Sequence, residues 1–309
     1  MTMPVISARD LTKTYRFHRS RVGLGGAMID LFRRRHEERL AVDGLDLRVD
    51  EGEFVGLLGR NGAGKTTTLK MFSGLLRPTS GELSVLGHQP ARREFGYLSQ
   101  IAVVLGSKSM LWWDVSTRAS LDLHQAIYDL PRPMFTDSVD QLVDLLELSE
   151  VIDIPVRQLS LGQRMKCELA VALVHRPKLL FLDEPTIGLD VVSKAAVRRF
   201  LAKINSDQQI TVLLTSHDMD DVSELCRRLV LIDHGTLRFD GTPAELIQQT
   251  RPRKRITLSY AGPPGQVELE VDREDAPRVL AEAATRGELL DLEVRDADLD
   301  DVMQAVVQS

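Results

Sequence analysis

Residues 53–66 read EFVGLLGRNGAGKT, and this stretch determines how the rest of the chain is interpreted. The apolar run 53–58 is typical of a buried strand, and a helical pattern follows from Lys65 to Leu75. Between them, GRNGAGKT fits G-x-x-x-x-G-K-[ST], in which glycines let several backbone N–H groups converge on phosphate oxygens. The following helix presents its positive end to the same anion. The stretch therefore predicts a nucleoside triphosphate site.

Individual residues of this phosphate loop have predicted roles. Lys65 is expected to neutralise the β- and γ-phosphates, and the Thr66 hydroxyl to complete a Mg²⁺ shell. A glycine turn formed by chance is the alternative, and the strand–loop–helix context argues against it. The predicted nucleotide-binding residues here are Gly59, Asn61, Gly62, Ala63, Gly64, Lys65, Thr66 and Thr67.

The segment KLLFLDEP at 178–185 predicts the second half of the site. Asp183 emerges at the end of a buried run, where it is expected to hold Mg²⁺ directly or through water. Glu184 follows, placed to orient or deprotonate the attacking water. His217, after TVLLTS, is a candidate for contact with the γ-phosphate from the neighbouring strand. The alternatives are a solvated strand end for the carboxylates and a structural role for the histidine.

Near-continuous apolar runs alternate with helical patterns through the first 240 residues, which is typical of a parallel sheet covered on both faces. The segment from about 115 to 160 is helical and polar, and we interpret it as a helical insertion. After Gly241 a capped helix (Thr242, Pro243, Glu245) leads to a separate α+β unit. The strand candidates of the sheet are 53–58, 101–105, 178–183, 211–216 and 229–233; those of the last unit are 255–260, 266–271 and 289–294, with helices near 274–286 and from about 298.

Composition restricts the possible partners of this 309-residue chain. There is no apolar run long enough to span a bilayer and no signal peptide, so we expect any membrane role to depend on another chain. Cys167 and Cys226 lack metal-ligand spacing and are expected to be reduced thiols. The net charge is −6, and the one basic segment, 16–39, does not make a general nucleic-acid binder.

The segment LSLGQ at 159–163, together with the phosphate loop, DEP and TSH, resembles the ATP-binding subunits of ABC transporters, whose signature usually reads LSGGQ. The resemblance covers about residues 5–246. It implies an α/β fold, a P-loop NTPase with a mostly parallel sheet, an N-terminal antiparallel β subdomain, a helical insertion and a small C-terminal α+β unit. We accordingly expect an ABC-type domain at 1–248, with its helical subdomain at 115–162, and an accessory domain at 256–309.

The same resemblance implies that two subunits sandwich two ATPs. Ser160, Gly162 and Gln163 would then act on the ATP held by the partner subunit, because the helix after them offers free N–H donors. Asp190, in GLD at 188–190, resembles the D-loop aspartate at the dimer seam. Tyr15 resembles the aromatic residue that stacks on adenine, with a strand-edge tyrosine as an equal alternative.

The family's Q-loop glutamine, which touches both Mg²⁺ and the membrane partner, has two candidate positions. FGYLSQ resembles the usual IGYLPQ, which favours Gln100. However, Gln100 comes only 35 residues after Lys65 and precedes the apolar run 101–105. VVLGS–LWWD resembles an exporter pattern, VVFGQ–LWWD, which places Ser107 at the Q-loop position. We favour Ser107.

The basic insertion 16–39 replaces the family's shorter turn. Met28, Leu31 and Phe32 share one helical face beside arginines, so a lipid or membrane-subunit contact is one interpretation. The alternative, a hairpin whose apolar side packs on its own domain, is slightly preferred. The C-terminal unit resembles the extension of drug- and polysaccharide-exporter ATPases, and we expect it to serve dimer contact or regulation.

The sequence as a whole indicates a peripheral ATPase subunit of an ABC exporter at the cytoplasmic face of the cell membrane. We expect ATP and Mg²⁺ as cofactors. The expected partners are a polytopic membrane subunit and a second nucleotide-binding subunit, either the same chain or a sibling, with no specific nucleic acid. An importer subunit, a soluble ABC-type ATPase acting on ribosomes or DNA, and a non-hydrolysing regulator are the alternatives.

Overall fold

The fold was analysed in a computed structural model of the whole chain. No helix among the described residues combines the length and apolar character needed to cross a bilayer. The residues that the structure describes are 4–18, 36–106, 109–216, 219–250, 254–263, 265–285, 287 and 289–295.

Two sheets account for the strands among the described residues up to position 241. These strands are β1 (Ile6–His18), β2 (His36–Val49), β3 (Phe54–Leu58), β4 (Ser80–Val85), β5 (Ile101–Leu105), β6 (Leu179–Asp183), β7 (Thr211–Thr215), β8 (Arg228–Asp233) and β9 (Thr236–Gly241). The central sheet has the order β5-β6-β7-β3-β8-β9. All its neighbouring strands are parallel except β9, which is antiparallel to β8.

The apolar composition of the central strands follows from burial on both faces. Within β6, Leu180 and Leu182 belong to one hydrophobic core, whereas Leu179 and Phe181 belong to the other. Successive side chains of a strand point to opposite faces, so a strand between two cores must be apolar at every position. This explains why all five runs predicted as buried strands coincide with observed strands.

The second sheet is antiparallel, with the order β2-β1-β4. Its long hairpin pairs Tyr15 with Arg39 and Arg16 with Glu38, and the two arms continue to positions 18 and 36. The two ends of the basic insertion, 16–18 and 36–39, thus form paired strands, as expected for a hairpin. The helical face predicted at Met28, Leu31 and Phe32 lies outside the described residues.

Helices cover both faces of the central sheet. Residues 109–178, which are described throughout, contain helices and no strand, in agreement with the predicted helical insertion. The helices up to the end of the central sheet are α1 (Lys65–Phe72), α2 (Phe95–Leu98), α3 (Thr117–Ile127), α4 (Arg132–Leu146), α5 (Leu161–Leu173), α6 (Val191–Gln208) and α7 (Met219–Leu225), with 3₁₀ turns at Pro90–Arg92 and Val156–Gln158.

The remaining described residues begin with α8 (Pro243–Thr250). Its predicted capping box is observed, because the Thr242 amide donates to Glu245 at 2.7 Å and the Glu245 amide to the Thr242 hydroxyl at 3.2 Å. A small sheet of order β11-β10-β12 follows, with its own core against one helix. Its elements are β10 (Lys254–Tyr260), β11 (Gln266–Val271), α9 (Ala276–Ala284) and β12 (Leu289–Arg295). The domain boundaries stay a prediction, and the helix predicted from 298 lies outside the described residues.

One buried histidine makes the stability of this fold sensitive to pH. His175 stacks on the Tyr128 ring, with centroids 4.1 Å apart, and its Nε2 lies 2.9 Å from the carbonyl oxygen of Ile101. Its Nδ1 is buried with no hydrogen-bond partner in the described part of the chain. Burial is the main cause that lowers the pKa of His175 from 6.5 to about 4, with a smaller contribution from His124.

We expect the free energy of unfolding to fall by about 3 kcal/mol from His175 alone as the pH drops from 6.5 to about 4. The unfolded chain takes up this proton more readily than the folded chain, so protonation favours unfolding in that interval. Urea unfolding of the wild type and of His175→Gln across the interval tests this. Towards low pH the free energy of unfolding of the wild type should fall relative to that of His175→Gln. Two free energies that change in parallel with pH would contradict the expectation.

Candidate functional site

The phosphate loop, residues 59–66, connects the end of β3 to the first turn of α1. Gly64 has a φ of 116°, and a Cβ there would lie 2.5 Å from the carbonyl oxygen of Ala41, so the position requires glycine. The buried Lys65 ammonium donates to the carbonyl oxygens of Gly59 and Arg60. These bonds hold the lysine side chain along the inside of the loop.

The positive charge of Lys65 lies close to the negative charges of two carboxylates, those of Glu184 and Asp183. Burial lowers the pKa of Lys65, and the carboxylates of Glu184 and Asp183 oppose that shift. A bound nucleotide adds the negative charge of its phosphates to the same region. A second cation is therefore electrostatically favourable at this site.

Asp183 ends β6 directly beside the phosphate loop. The Thr66 hydroxyl donates to both oxygens of its carboxylate, at 3.0 and 3.1 Å, and the Thr215 hydroxyl donates to one of them at 2.6 Å. A hydroxyl and a buried carboxylate that converge in this way are hard oxygen ligands of the kind Mg²⁺ prefers. The donor set fits the ion, and Thr66 and Asp183 are the residues that would hold it.

Glu184 adopts a strained conformation next to Asp183. Its φ of 53° lies in the left-handed region, which costs a residue other than glycine about 1–3 kcal/mol. Its amide donates to the Thr215 carbonyl oxygen at 3.0 Å, which pins the turn. The side chain lines the same cavity as Lys65 and Thr66. The strained turn thus directs a carboxylate at the place where phosphates would bind.

The cavity above the phosphate loop has a volume of about 250 Å³. Tyr15 lines it from β1, with its hydroxyl 3.5 Å from the hydroxyl of Thr67 and the Lys13 ammonium 5.5 Å from its ring centroid. None of the described residues of the signature segment lines this cavity. The lining residues are Tyr15, Arg39, Ala41, Arg60, Asn61, Gly62, Gly64, Lys65, Thr66, Thr67 and Glu184.

Gln100 lies at the opposite end of the strands from Asp183. It precedes β5, its Nε2 donates to the Gly96 carbonyl oxygen at 2.6 Å, and its carbonyl accepts from the Lys178 amide. At the other end of β5, the Gly106 amide donates to the Asp183 carbonyl oxygen at 2.7 Å. Ser107 itself lies outside the described residues, although its neighbour Gly106 is adjacent to the backbone of Asp183 and Glu184.

The signature segment, residues 159–163, forms the N-terminus of α5. Ser160 is its N-cap, because its hydroxyl accepts from the Gln163 amide at 3.2 Å and the Gln163 side chain accepts from the Ser160 amide at 2.9 Å. This reciprocal capping box fixes the first turn of the helix. Leu161, which replaces a glycine of the usual motif, is 39% exposed.

The signature segment packs against the D-loop, residues 188–190, of the same chain. Asp190 caps α6 and accepts from the amide of Ser193 at 2.9 Å and from its hydroxyl at 2.6 Å. These hydrogen bonds lower the pKa of Asp190. A Cβ on Gly162 would lie 2.2 Å from the Ser193 hydroxyl oxygen, so the two helix N-termini touch only because position 162 is glycine.

His217 lies outside the described residues, but the residue before it, Ser216, binds a buried carboxylate. Asp221 in α7 has no exposed surface and accepts from the hydroxyls of Thr186 and Ser216 and from the Arg198 guanidinium. Thr186 follows Glu184 by two positions, and Ser216 immediately precedes His217. The carboxylate therefore joins the two segments that carry the predicted catalytic residues.

Sequence reasoning missed Asp221 and Thr215. Thr215 ends β7 beside Asp183 and binds its carboxylate. In the sequence, the only signal for Thr215 was that it is a polar residue at the end of an apolar run. That run forms the strand beside the one that leads to Asp183 and Glu184. For Asp221 the signal was weaker still, because acidic residues on a helix are usually exposed.

Comparison with known proteins identifies the family. Residues 42–187 match the family described as ABC transporter. A daunorubicin resistance ATP-binding protein of Streptomyces coeruleorubidus is 35% identical over 235 residues, which are 76% of this chain and 74% of that protein. The chain belongs to the ABC transporter ATP-binding proteins. A Nod factor export ATP-binding protein of Cupriavidus metallidurans is also similar, 37% identical over 215 residues, 70% of each chain.

Solved structures confirm the expected fold. An ATP-binding subunit of an ABC transporter superposes with a TM-score of 0.65 at 23% identity, covering 79% of this chain and 92% of that chain. The cbiO1 protein of Clostridium perfringens, part of an ABC transporter complex, gives 0.66 at 24% identity, covering 80% of this chain and 92% of that chain. These likenesses establish the P-loop NTPase fold with its mostly parallel sheet and antiparallel N-terminal strands.

The family assignment confirms that this ABC chain is an ATP-binding subunit and an ATPase. ABC ATP-binding subunits in general work with membrane subunits and dimerise. The direction of transport, the closure mechanism and the roles of individual site residues are taken up as proposals.

Proposed function

We propose that this ABC chain is the ATP-hydrolysing subunit of an exporter, peripheral at the cytoplasmic face of the membrane, and that ATP closes it against a second such subunit. One observation supports this most strongly. The cavity lined by Lys65, Thr66 and Glu184 includes none of the described signature residues, although these form a capped helix N-terminus suited to an anion. A second subunit would complete the site.

The surface around the signature segment suits such a partner. Val191 and Val192, at the start of α6, are 79% and 77% exposed, and Ile187 and Leu161 are also exposed. Contiguous apolar side chains at the edge of a polar site are typical of a protein interface. Closure would bury them and bring Ser160 and Asp190 to the ATP of the partner.

Hydrolysis in this arrangement needs few residues. The loop amides and Lys65 bind the β- and γ-phosphates and hold the γ-phosphorus for in-line attack. Glu184 orients a water and accepts its proton as the new P–O bond forms and the bond to the β-phosphate oxygen breaks. Mg²⁺, held by Thr66 and Asp183, would neutralise charge on the leaving phosphate. His217 follows β7 and is proposed to contact the γ-phosphate.

Adenine recognition is assigned to Tyr15. Its ring stands at the rim of the cavity, 38% exposed, with its hydroxyl held near Thr67. A partly exposed ring tethered beside the phosphate loop is suited to stacking on a base. The alternative of a purely structural strand-edge tyrosine has less support because the side chain lines the cavity.

Replacement of Gln100 by Ala is expected to leave ATP hydrolysis within about twofold of the wild-type rate, about 0.4 kcal/mol in the barrier. The Gln100 side chain binds the Gly96 carbonyl at the end of the sheet remote from Asp183. Ser107→Ala, which alters the residue after Gly106, should change either the rate or its dependence on Mg²⁺. A tenfold loss in Gln100→Ala would reverse the assignment and place the Q-loop residue at Gln100.

We propose that the segment 109–115 contacts the membrane subunit and transmits the closing motion to it. Trp112 and Trp113 are 66% and 58% exposed, which is unusual for large aromatic side chains unless they meet another surface. The Arg164 guanidinium lies 5.5 Å from the Trp113 ring centroid, and Arg164 follows the signature segment in α5. A partner that contacts the tryptophans would thus be linked to the signature helix.

Export is proposed because of the names of two similar proteins. The protein from Streptomyces is a daunorubicin resistance protein, and the protein from Cupriavidus is a Nod factor export protein. The substrate would contact the membrane subunit, so its identity is not encoded in this chain's site.

The two-subunit site can be tested by mixing two inactive variants of the purified chain. Lys65→Ala disables the phosphate loop, and Ser160→Arg blocks the signature. If the wild-type chain alone hydrolyses ATP, each variant should be inactive, and an equimolar mixture should recover about a quarter of the wild-type rate, since half the dimers carry one intact composite site. A mixture that stays inactive would contradict the proposal.

A further inference from the structure

Arg39 stands at the rim of the nucleotide cavity, and neither the family resemblance nor the sequence prediction gave it a role. It lies near the start of β2, at the end of the basic insertion 16–39, and pairs in register with Tyr15 across the hairpin. Directly opposed residues of an antiparallel pair point to the same face of the sheet. Arg39 therefore faces the cavity beside the ring proposed to stack on adenine.

The guanidinium of Arg39 reaches over the phosphate loop. Its Nη2 atom lies 3.4 Å from the position that a Cβ on Gly62 would occupy. Arg39 also lines a second, polar concavity of about 350 Å³ beside the loop, together with Asp233 and His234. The side chain thus spans the exposed outer surface of the loop, whereas Lys65 is buried on its inner side.

The chemistry of this position favours a phosphate ligand. A guanidinium is always charged, and its fork of N–H donors matches two oxygens of one phosphate. The loop below it is built so that backbone N–H groups converge on the same oxygens. A cation on the outer side of the loop and one on the inner side would hold the phosphate chain between them.

We propose that Arg39 is a nucleotide-binding residue that contacts the phosphate chain of ATP. The basic insertion then has a function inside the catalytic domain, because its last residues, 36–39, place the Arg39 guanidinium at the site. The inference rests on ATP binding by the phosphate loop and adds a contact that the loop motif does not contain.

The test is equilibrium binding of ATP, ADP and adenosine to the full-length chain, by competition with a fluorescent ATP analogue. Arg39→Ala is expected to raise the Kd for ATP and ADP about tenfold, since a hydrogen-bonded charge is lost, and to change the Kd for adenosine less than about twofold. Arg39→Lys should recover part of the affinity because it keeps the charge but not the fork.

Arg16→Ala is the matched control. Arg16 belongs to the same hairpin and pairs with Glu38 at 2.8 Å, but it does not line the cavity. Its removal should leave all three Kd values unchanged. Unchanged ATP affinity in Arg39→Ala, or an equal loss for adenosine, would overturn the inference. Loss of ATP binding by the wild-type chain would instead refute the nucleotide site itself, so the two failures are distinguishable.

Discussion

Glu184→Gln is expected to slow ATP hydrolysis by at least about 100-fold, or about 2.7 kcal/mol in the barrier, while ATP remains bound. The substitution removes the proton acceptor but keeps the size of the side chain. The strained turn at φ 53° is held by hydrogen bonds from the Glu184 amide to Thr215, which the substitution does not touch. Binding should therefore survive, and steady-state phosphate release together with nucleotide affinity measures the two effects separately.

A trapped closed dimer is the second consequence of this variant. If hydrolysis at Glu184 reopens the pair of subunits, Glu184→Gln should form an ATP-dependent dimer that size-exclusion chromatography detects. Glu150→Gln removes an exposed carboxylate remote in sequence from the predicted catalytic segments and should behave as the wild type. Unchanged turnover in Glu184→Gln would remove this residue from its proposed role.

Lys65→Ala is expected to weaken ATP binding about 100-fold, the upper range for loss of a hydrogen bond to a charged group. The Lys65 ammonium is buried inside the phosphate loop, where it donates to the Gly59 carbonyl oxygen, and it is proposed to bind the β- and γ-phosphates. Its loss also removes a positive charge beside Glu184 and Asp183, so that their carboxylates repel the phosphates more strongly. Calorimetric titration with ATP measures the effect.

Lys70→Ala is the matched control for this prediction, because Lys70 lies in the last turn of the same helix, α1. It should bind ATP with wild-type affinity and unfold at the same temperature within a few degrees. Full ATP affinity in Lys65→Ala would mean that the loop amides alone hold the nucleotide.

The strands of the central sheet and the phosphate loop could be predicted because their causes are local. A strand buried on both faces must be apolar at each position, as Leu179 to Leu182 are, and a loop that cradles an anion must contain glycines such as Gly64. Capping boxes are equally local, so Thr242 and Glu245 were predicted correctly. The position of Gln100 before its apolar run already placed it away from the carboxylates.

Other features depend on pairings that the sequence does not display. Arg39 reaches the cavity only because the hairpin register sets it opposite Tyr15, and a shift of one residue would turn it to the other face. Thr215 matters because β7 lies next to β6, which is a consequence of strand order. Asp221 can be buried because three separate segments donate hydrogen bonds to its carboxylate. The signature residues are proposed to act on the ATP of a second subunit, which is not part of the single chain.

The most direct test of the transporter assignment is to tag this chain, extract native membranes in mild detergent and identify what remains bound. We expect a polytopic membrane protein in stoichiometric amount, and a second kind of ATPase subunit if the dimer is mixed. A chain carrying Trp112→Ala and Trp113→Ala should lose that protein yet keep ATP binding. Recovery of the wild-type chain only with ribosomes or nucleic acid, and with no membrane protein, would show that the chain is not a transporter subunit.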